Sequence, residues 1–296
     1  MSQFANWWQT LPSQMNPVMF KIGGFAVHYY GVMYIAAFAT TYLLCRRRMK
    51  SEPEQAIMSV EVFQGLITVC ILGLILGARF GYVLFYNLGY YLRHPLEIIL
   101  PFDIANGWRF TGISGMSFHG GLIGLLTGAI IYMRRQKLHI RKTLDLVVPC
   151  APLGYTFGRI GNFINAELWG RKTNMAIGMY FPNAPGNSLR HPSQLYEAFF
   201  EGIVLFTILW LLRKKTKVPG AILSIYLWGY GAFRYYIEFV REPDSHLGLI
   251  VAGMSMGQLL CLAMILAGSG LYWYLYRIHE QDEPEKKKTV PPRKKK

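Results

Sequence analysis

The sequence predicts an all-α integral membrane protein of seven transmembrane helices, with the N-terminus outside and the C-terminus in the cytoplasm. Three observations predict it. Of 296 residues, 52% are hydrophobic and 16% are charged, and the mean hydropathy is positive. The apolar residues gather into runs of about 20, the length a helix needs to cross a bilayer. The basic residues are bunched: 21 of the 31 Lys and Arg lie in Arg46–Lys50, Arg134–Lys142, Arg213–Lys217 and Arg277–Lys296, each following an apolar run.

A net charge of +15 also invites a nucleic-acid reading. No folded basic domain or recognition motif accompanies the charge, so no nucleic-acid partner is expected. Short basic clusters after apolar runs are instead the pattern of cytoplasmic loops.

Seven spans can be drawn, over 24–45, 62–86, 118–133, 144–165, 194–212, 219–240 and 253–276. The first runs into Arg46-Arg47-Arg48, which puts its far end inside and the N-terminus outside. The second returns outward. The third is short and is expected to extend toward Ile113 or Arg134, ending inside at Arg134-Arg135. The fourth returns outward, the fifth ends inside at Arg213-Lys214-Lys215, and the seventh ends inside at the basic tail. Residues 1–279 thus form a single polytopic membrane domain, with outer-face segments at 87–117 and 166–193 among its connections. Glu97–Arg109 mixes apolar and charged residues and is expected along the membrane surface. The charged tail, 280–296, has little apolar content and is expected to be disordered in the cytoplasm.

Cys45, Cys70, Cys150 and Cys261 lie in or beside apolar runs, and none forms a C-x-x-C pair. They read as free thiols acting as small hydrophobes, with no metal site. Met1–Phe20 lacks a basic stretch followed by an apolar core, so no cleavable signal peptide is expected.

Ten basic residues remain outside the clusters, and three of them, Arg79, Arg159 and Arg234, fall within apolar spans. An intramembrane arginine must find an anion, a carbonyl or water, and marks a functional site by default. Its planar fork also suits a phosphate. Two readings of Arg234 stand at this point: a salt bridge to Glu238, one helical turn on, or a grip on a ligand. Two patterns favour a site. Arg159 and Asn162 share a helix face, and Gly158 and Gly161 leave room for close approach. Tyr230, Arg234, Glu238 and Arg241 form a polar stripe on the sixth span. Both stripes lie toward the outer ends of their helices, where they can meet around one anionic group.

His119, in Ser117-Phe-His-Gly-Gly121, opens the third span. It is either an interfacial hydrogen-bonder or a proton acceptor near neutral pH. His28-Tyr-Tyr-Gly31 opens the first span, where Tyr30 and Tyr34 share a face. Arg190-His-Pro-Ser-Gln-Leu-Tyr-Glu197 opens the fifth, with Ser193 as the expected N-cap. No zinc signature, nucleotide-binding glycine loop or Gly-x-Ser-x-Gly elbow appears, so no cofactor is expected.

These blocks, together with Gly158-Arg-Ile-Gly-Asn-Phe-Ile-Asn-Ala-Glu-Leu-Trp-Gly170 and Tyr230-Gly-Ala-Phe-Arg234 with Glu238 and Arg241, resemble the signature of prolipoprotein diacylglyceryl transferases over roughly residues 17–277. The resemblance implies a seven-helix bundle in the bacterial cytoplasmic (inner) membrane. It implies transfer of an sn-1,2-diacylglyceryl group from phosphatidylglycerol to the lipobox cysteine of a prolipoprotein signal peptide. The products are a thioether and glycerol 1-phosphate. On this reading Arg159, Asn162, Glu167, Gly170 and Arg241 bind the phosphatidylglycerol headgroup or shape its mouth. Arg234, oriented by Glu238, stabilises the leaving phosphate. His119 serves as the base for the thiol and Tyr30 positions the lipid. A lipid or anion transporter and a membrane acyltransferase are the rival classes. The polar residues cluster toward one side with no paired halves, against the first, and no cytoplasmic His-plus-acidic motif supports the second.

Overall fold

The computed structural model of the chain describes residues 3–23, 25–53, 57–100, 102–103, 109–110, 115–242, 249–251 and 253–289. The chain is mostly helical and divides into two compact units, Met1–Gln55 with Leu144–Lys296, and Ala56–Thr143.

The first unit opens with α1 (Gln3–Gln14) and an antiparallel hairpin of β1 (Val18–Ile22) and β2 (Phe25–His28). The helix α2 (Tyr29–Ser51) follows directly. The start of the predicted first span is therefore strand, and the helix begins at Tyr29, where the backbone turns out of the extended conformation that His28 still holds at φ −92° and the Tyr29 amide donates to the Pro17 carbonyl (3.0 Å). At its other end α2 runs through the basic cluster. Arg48 is fully buried there: its guanidinium donates to the Asp145 carbonyl (2.9 Å) and the Leu146 carbonyl and pairs with Glu52 (3.2 Å). Arg213 reaches the same Glu52 (2.9 Å). One arginine from each of two clusters expected in solvated loops is thus committed to an interior latch. Asp145 extends it by accepting from the Gly220 and Leu223 amides (2.6 and 3.1 Å).

The second unit is built on α3 (Val60–Tyr86), with Ser59 as N-cap. A short helix α4 (Leu88–Arg93) and a hairpin of β3 (Phe102–Asp103) and β4 (Arg109–Phe110) lead to α5 (Phe118–Arg135), which packs back on α3. The α3–α5 contact is built on glycine. A Cβ on Gly77 would come within 2.8 Å of Gly124 Cα, and one on Gly81 within 2.7 Å of Gly120 Cα. Gly73-x3-Gly77-x3-Gly81 faces Gly120-x3-Gly124, the small-residue spacing that lets membrane helices touch backbone to backbone. Leu72, Ile75, Leu76 and Phe80 on α3, and Leu122, Ile123 and Leu126 on α5, are exposed, a surface suited to lipid. The third span extends to Arg135, close to its expected basic end.

Arg79 is a structural bolt in this unit. It donates to the carbonyls of Ile98 (2.8 Å), Gly115 (3.2 Å) and Glu97 (2.5 Å) and lies over the Tyr91 ring. Glu97, expected along the membrane surface, is buried and accepts from the Tyr90 hydroxyl (2.6 Å). Pro101 and residues 104–108 of that stretch lie outside the described residues.

The predicted fourth span is not one helix. It is divided into α6 (Ile140–Val147) and α7 (Ala151–Ile164). Pro149, inside the break, and Pro152, at the start of α7, account for it, since neither has an amide to donate and a proline ring clashes with the preceding turn except at a helix start. The 14 residues of α7 extend about 21 Å. After a long loop come α8 (Ser193–Glu197), a π-helical turn (Ala198–Val204) and α9 (Leu205–Leu212), which join into one 20-residue apolar run. Then follow α10 (Ala221–Ile237), a small hairpin of β5 (Leu249–Val251) and β6 (Met254–Ser255), and α11 (Met256–Thr289). The last helix runs to Thr289, into the stretch expected to be disordered; the rest of that tail, 290–296, lies outside the described residues.

Among the described residues, three helical stretches, Val60–Tyr86, Ser193–Leu212 and Met256–Glu280, are long and apolar enough to cross a membrane. With the exposed apolar faces, they make this a membrane protein.

Candidate active site

The candidate site is assembled in the first unit from α2, α7, α8 with its π-helical continuation, α10 and the loop between α7 and α8. Arg159 and Asn162 lie one turn apart on α7, and Arg159 Nη1 donates to Asn162 Oδ1 (3.1 Å). Asn162 Nδ2 donates in turn to Glu167 Oε1 (2.7 Å). Glu167 is set by a strained turn: Ala166 and Leu168 on either side have φ of +51° and +60°, a region costly for residues with a Cβ. The turn is secured by α8. Gln194 Nε2 donates to the Glu167 carbonyl (2.5 Å) and Ser193 Oγ to the Leu168 carbonyl (2.9 Å). Ser193 is therefore not the expected N-cap. Pro192 occupies that position, and the serine hydroxyl is spent across the loop instead.

On α10, Arg234 Nη2 pairs with Glu238 (2.7 Å), and Arg241 Nε lies 3.7 Å from the same carboxylate. Ser255 Oγ donates to the other Glu238 oxygen (3.1 Å). The two stripes do meet, and the anionic group at which they meet is the protein's own Glu197, with 0% exposure. Its Oε2 pairs with Arg159 Nε (3.0 Å), and its Oε1 with Arg234 Nη1 (3.0 Å) and Arg241 Nη1 (2.8 Å). Three guanidinium groups around one buried carboxylate resolve the electrostatic problem that each would pose alone. The salt-bridge and ligand readings of Arg234 are therefore compatible. Among the described residues, Arg159 Nη2 and Arg234 Nε have no protein partner, and the two side chains retain 18% and 16% exposure. Donors remain for a further anion.

Tyr30 belongs to the same unit. Its hydroxyl meets that of Tyr34 at 3.1 Å, and its ring lies against Gly161, where a Cβ would come within 3.2 Å of Tyr30 Cδ2. Gly161 thus lets α2 approach α7 and lets Tyr30 lie beside Asn162. Gly170 is crowded by backbone: it bridges to Arg241, and its amide donates to the His191 carbonyl (2.8 Å). A side chain there would run into His191 Cβ at 2.7 Å. Arg190 fastens the same loop, donating to the Gly170 carbonyl (3.2 Å), pairing with Glu242 (3.0 Å) and lying over Trp169. His191 meets the Tyr196 hydroxyl at 3.2 Å, and burial holds its imidazole below the ordinary value of 6.5. His119 is carried by the second unit, exposed in the first turn of α5, whose N-cap Ser117 accepts from the Gly120 amide (3.3 Å).

Sequence reasoning missed Glu197 and Glu201 as partners of the arginine cluster. Both are acidic residues in an apolar run four positions apart, and that signal was present. It also missed Tyr155, whose ring lies 4.7 Å below the Arg159 guanidinium. Among the described residues no group of three His, Cys, Asp or Glu is placed to hold a metal ion.

The profile of the prolipoprotein diacylglyceryl transferase family matches residues 17–274. A phosphatidylglycerol–prolipoprotein diacylglyceryl transferase of Chlorobaculum tepidum is 52% identical over 285 residues, covering 95% of this chain and 98% of its own. Proteins of the same name from Bordetella parapertussis and Nitrosomonas europaea are 46% and 44% identical, covering 89% and 96% of this chain and 97% of each relative. A match across nearly the full length of chain and relatives, over the residues that build the arginine cluster, shows that this membrane protein belongs to the prolipoprotein diacylglyceryl transferase family and is a transferase.

Proposed function

We propose that the chain transfers the sn-1,2-diacylglyceryl group of phosphatidylglycerol to the lipobox cysteine of prolipoproteins, the first step of bacterial lipoprotein maturation. The observation that carries this reading is the convergence of Arg159, Arg234 and Arg241 on Glu197, with guanidinium nitrogens on two of them still open among the described residues. The names of the relatives support the same substrates.

In the proposed reaction the cysteine thiolate attacks the glycerol carbon that bears the phosphate. A C–S bond forms, the C–O bond breaks, and its electron pair leaves on the phosphate oxygen. The thiol proton passes to His119 and from there to the departing sn-glycerol 1-phosphate, so the charges balance. Arg159 and Asn162 hold the headgroup phosphate in the ground state. Arg234, oriented by Glu238, meets the charge that grows as the bond breaks, the kind of interaction that raises rate rather than affinity. Arg241 shares Glu197 and Glu238 with Arg234 and keeps both carboxylates in register. Glu167 and Gly170 shape the outer mouth, and Tyr30 positions the lipid. No cofactor is required, because the arginines handle the phosphate.

The proposed setting is the bacterial inner membrane, with seven spans, the N-terminus outside and the C-terminus in the cytoplasm. Residues 1–279 act as one membrane domain and 280–296 as a cytoplasmic tail. The testing experiment combines the purified chain with phosphatidylglycerol and a lipobox peptide. Mass spectrometry should show the peptide gaining a diacylglyceryl mass, with glycerol 1-phosphate released. The product should require the peptide cysteine and disappear with Arg234→Ala. A folded chain that yields no product with phosphatidylglycerol would refute the reading.

A further inference from the structure

Glu201 has no part in the transfer as proposed, yet it is only 1% exposed within an apolar span. An ionisable side chain in that position is costly to keep. The π-helical turn Ala198–Val204 carries it, and such widened turns recur at functional sites. α7 helps hold the turn. Thr156 Oγ1 donates to the Ala198 carbonyl (3.3 Å), and Gly202 gives it room, since a Cβ there would come within 3.1 Å of Thr156 Cβ.

Glu201 Oε2 accepts from the Tyr155 hydroxyl at 2.5 Å. Its Oε1 is buried without a hydrogen-bond partner among the described residues and lies 3.9 Å from Arg234 Nη1. Tyr155 in turn presents its ring face to Arg159. One carboxylate therefore reaches both arginines, directly at Arg234 and through Tyr155 at Arg159.

We infer that Glu201 and Tyr155 are a positioning pair beneath the phosphate-binding arginines, with Glu201 fixing where Arg234 meets the departing phosphate. The inference rests on the transfer reading above. Arg234 Nη1 is shared between Glu197 at 3.0 Å and Glu201 at 3.9 Å, so the second carboxylate draws the guanidinium against the first. Arg159 keeps Glu197 and Asn162 when Glu201 is changed. Headgroup binding then persists while transition-state stabilisation falls.

The test uses the full chain in detergent with phosphatidylglycerol and a lipobox peptide, and compares Glu201→Gln, Tyr155→Phe and the double variant with the unsubstituted chain. Glu201→Gln keeps an oxygen for Tyr155 and removes the charge. The expected result is a kcat lowered about 10- to 100-fold with the KM for phosphatidylglycerol within about 3-fold. The double variant should lose no more than the worse single variant, as for groups acting as a unit. A Glu201→Gln kcat within about 3-fold of the unsubstituted chain would overturn the inference, as would a loss confined to KM or additive losses in the double variant. Variants that lose activity only in proportion to unfolded protein would assign both residues a purely structural role and overturn it too. If the unsubstituted chain is inactive, the transfer reading itself fails and the pair's role falls with it.

Discussion

Removing the Glu197 carboxylate would leave three guanidinium groups facing one another in a buried site. Breaking a buried ion pair costs about 3–5 kcal/mol, so Glu197→Ala should sharply lower the melting temperature in detergent. Glu197→Gln keeps the shape and should fold better, but with kcat/KM reduced at least about tenfold, or ~1.4 kcal/mol of barrier. The arginines themselves should not tolerate lysine. Arg159→Lys and Arg234→Lys lose the planar fork, and each is expected to cost on the order of 100-fold in activity; full activity in either would refute the phosphate grip. His191 gives a pH prediction. Its folded-state value lies below its ordinary 6.5 because burial disfavours the charged ring. The neutral form is favoured on folding, so no penalty applies above that value, and stability is lost as pH falls below it. His191→Gln should show a smaller fall in melting temperature between neutral and mildly acidic pH than the unsubstituted chain does. At this scale Arg159, Asn162, Arg234, Glu238 and Arg241 were legible as polar side chains that must find partners, because hydrocarbon tolerates a charged or amide side chain only where a polar group meets it. Glu197 was hidden at the end of the segment read as a helix entry, where an acidic residue is ordinary because it complements the helix dipole.

Elements were legible where hydropathy alone decides them. Val60–Tyr86 and Phe118–Arg135 form close to the predicted boundaries, and Ser59 and Ser117 cap them. The break between α6 and α7 and the π-helical turn were not read, because an apolar run shows the same hydropathy whether its backbone is straight, broken or widened. Pro149 and Pro152 were the available signal for the first. The glycine spacing of α3 and α5 was available too, and it yields an element-scale prediction. Gly124→Leu would drive a side chain into α3, where even a Cβ comes within 2.8 Å of Gly77 Cα. It should reduce recovered folded protein and lower the melting temperature. Gly270→Leu, with nothing within 4 Å of an added Cβ, should leave both nearly unchanged. Equal effects of the two would mean that the glycine contact is not what holds the helix pair.

For the whole molecule, the distribution of basic residues supports the proposed topology more than their number does. Single reporter cysteines tested in a chain whose four native cysteines are replaced should separate cleanly. One at Arg171 should react with a membrane-impermeant reagent in intact cells, and one at Lys215 only after permeabilisation. The reverse pattern would invert the topology. Arg48 and Arg213 have a second task besides their charge, since they are bound to Glu52 and to backbone carbonyls and fasten the interior.

The sequence by itself determined the membrane class, the family and the residues whose charge is out of place in an apolar run. These follow from composition within short windows and from motifs that are local in the chain. Only the tertiary structure decided that Arg159, Arg234 and Arg241 share Glu197, that Glu201 lies beneath them, and that Arg79 serves its own unit as a bolt. Which charge finds which depends on how helices distant in sequence are rotated and packed against one another. Hydropathy records that a residue is buried and leaves its partner undetermined.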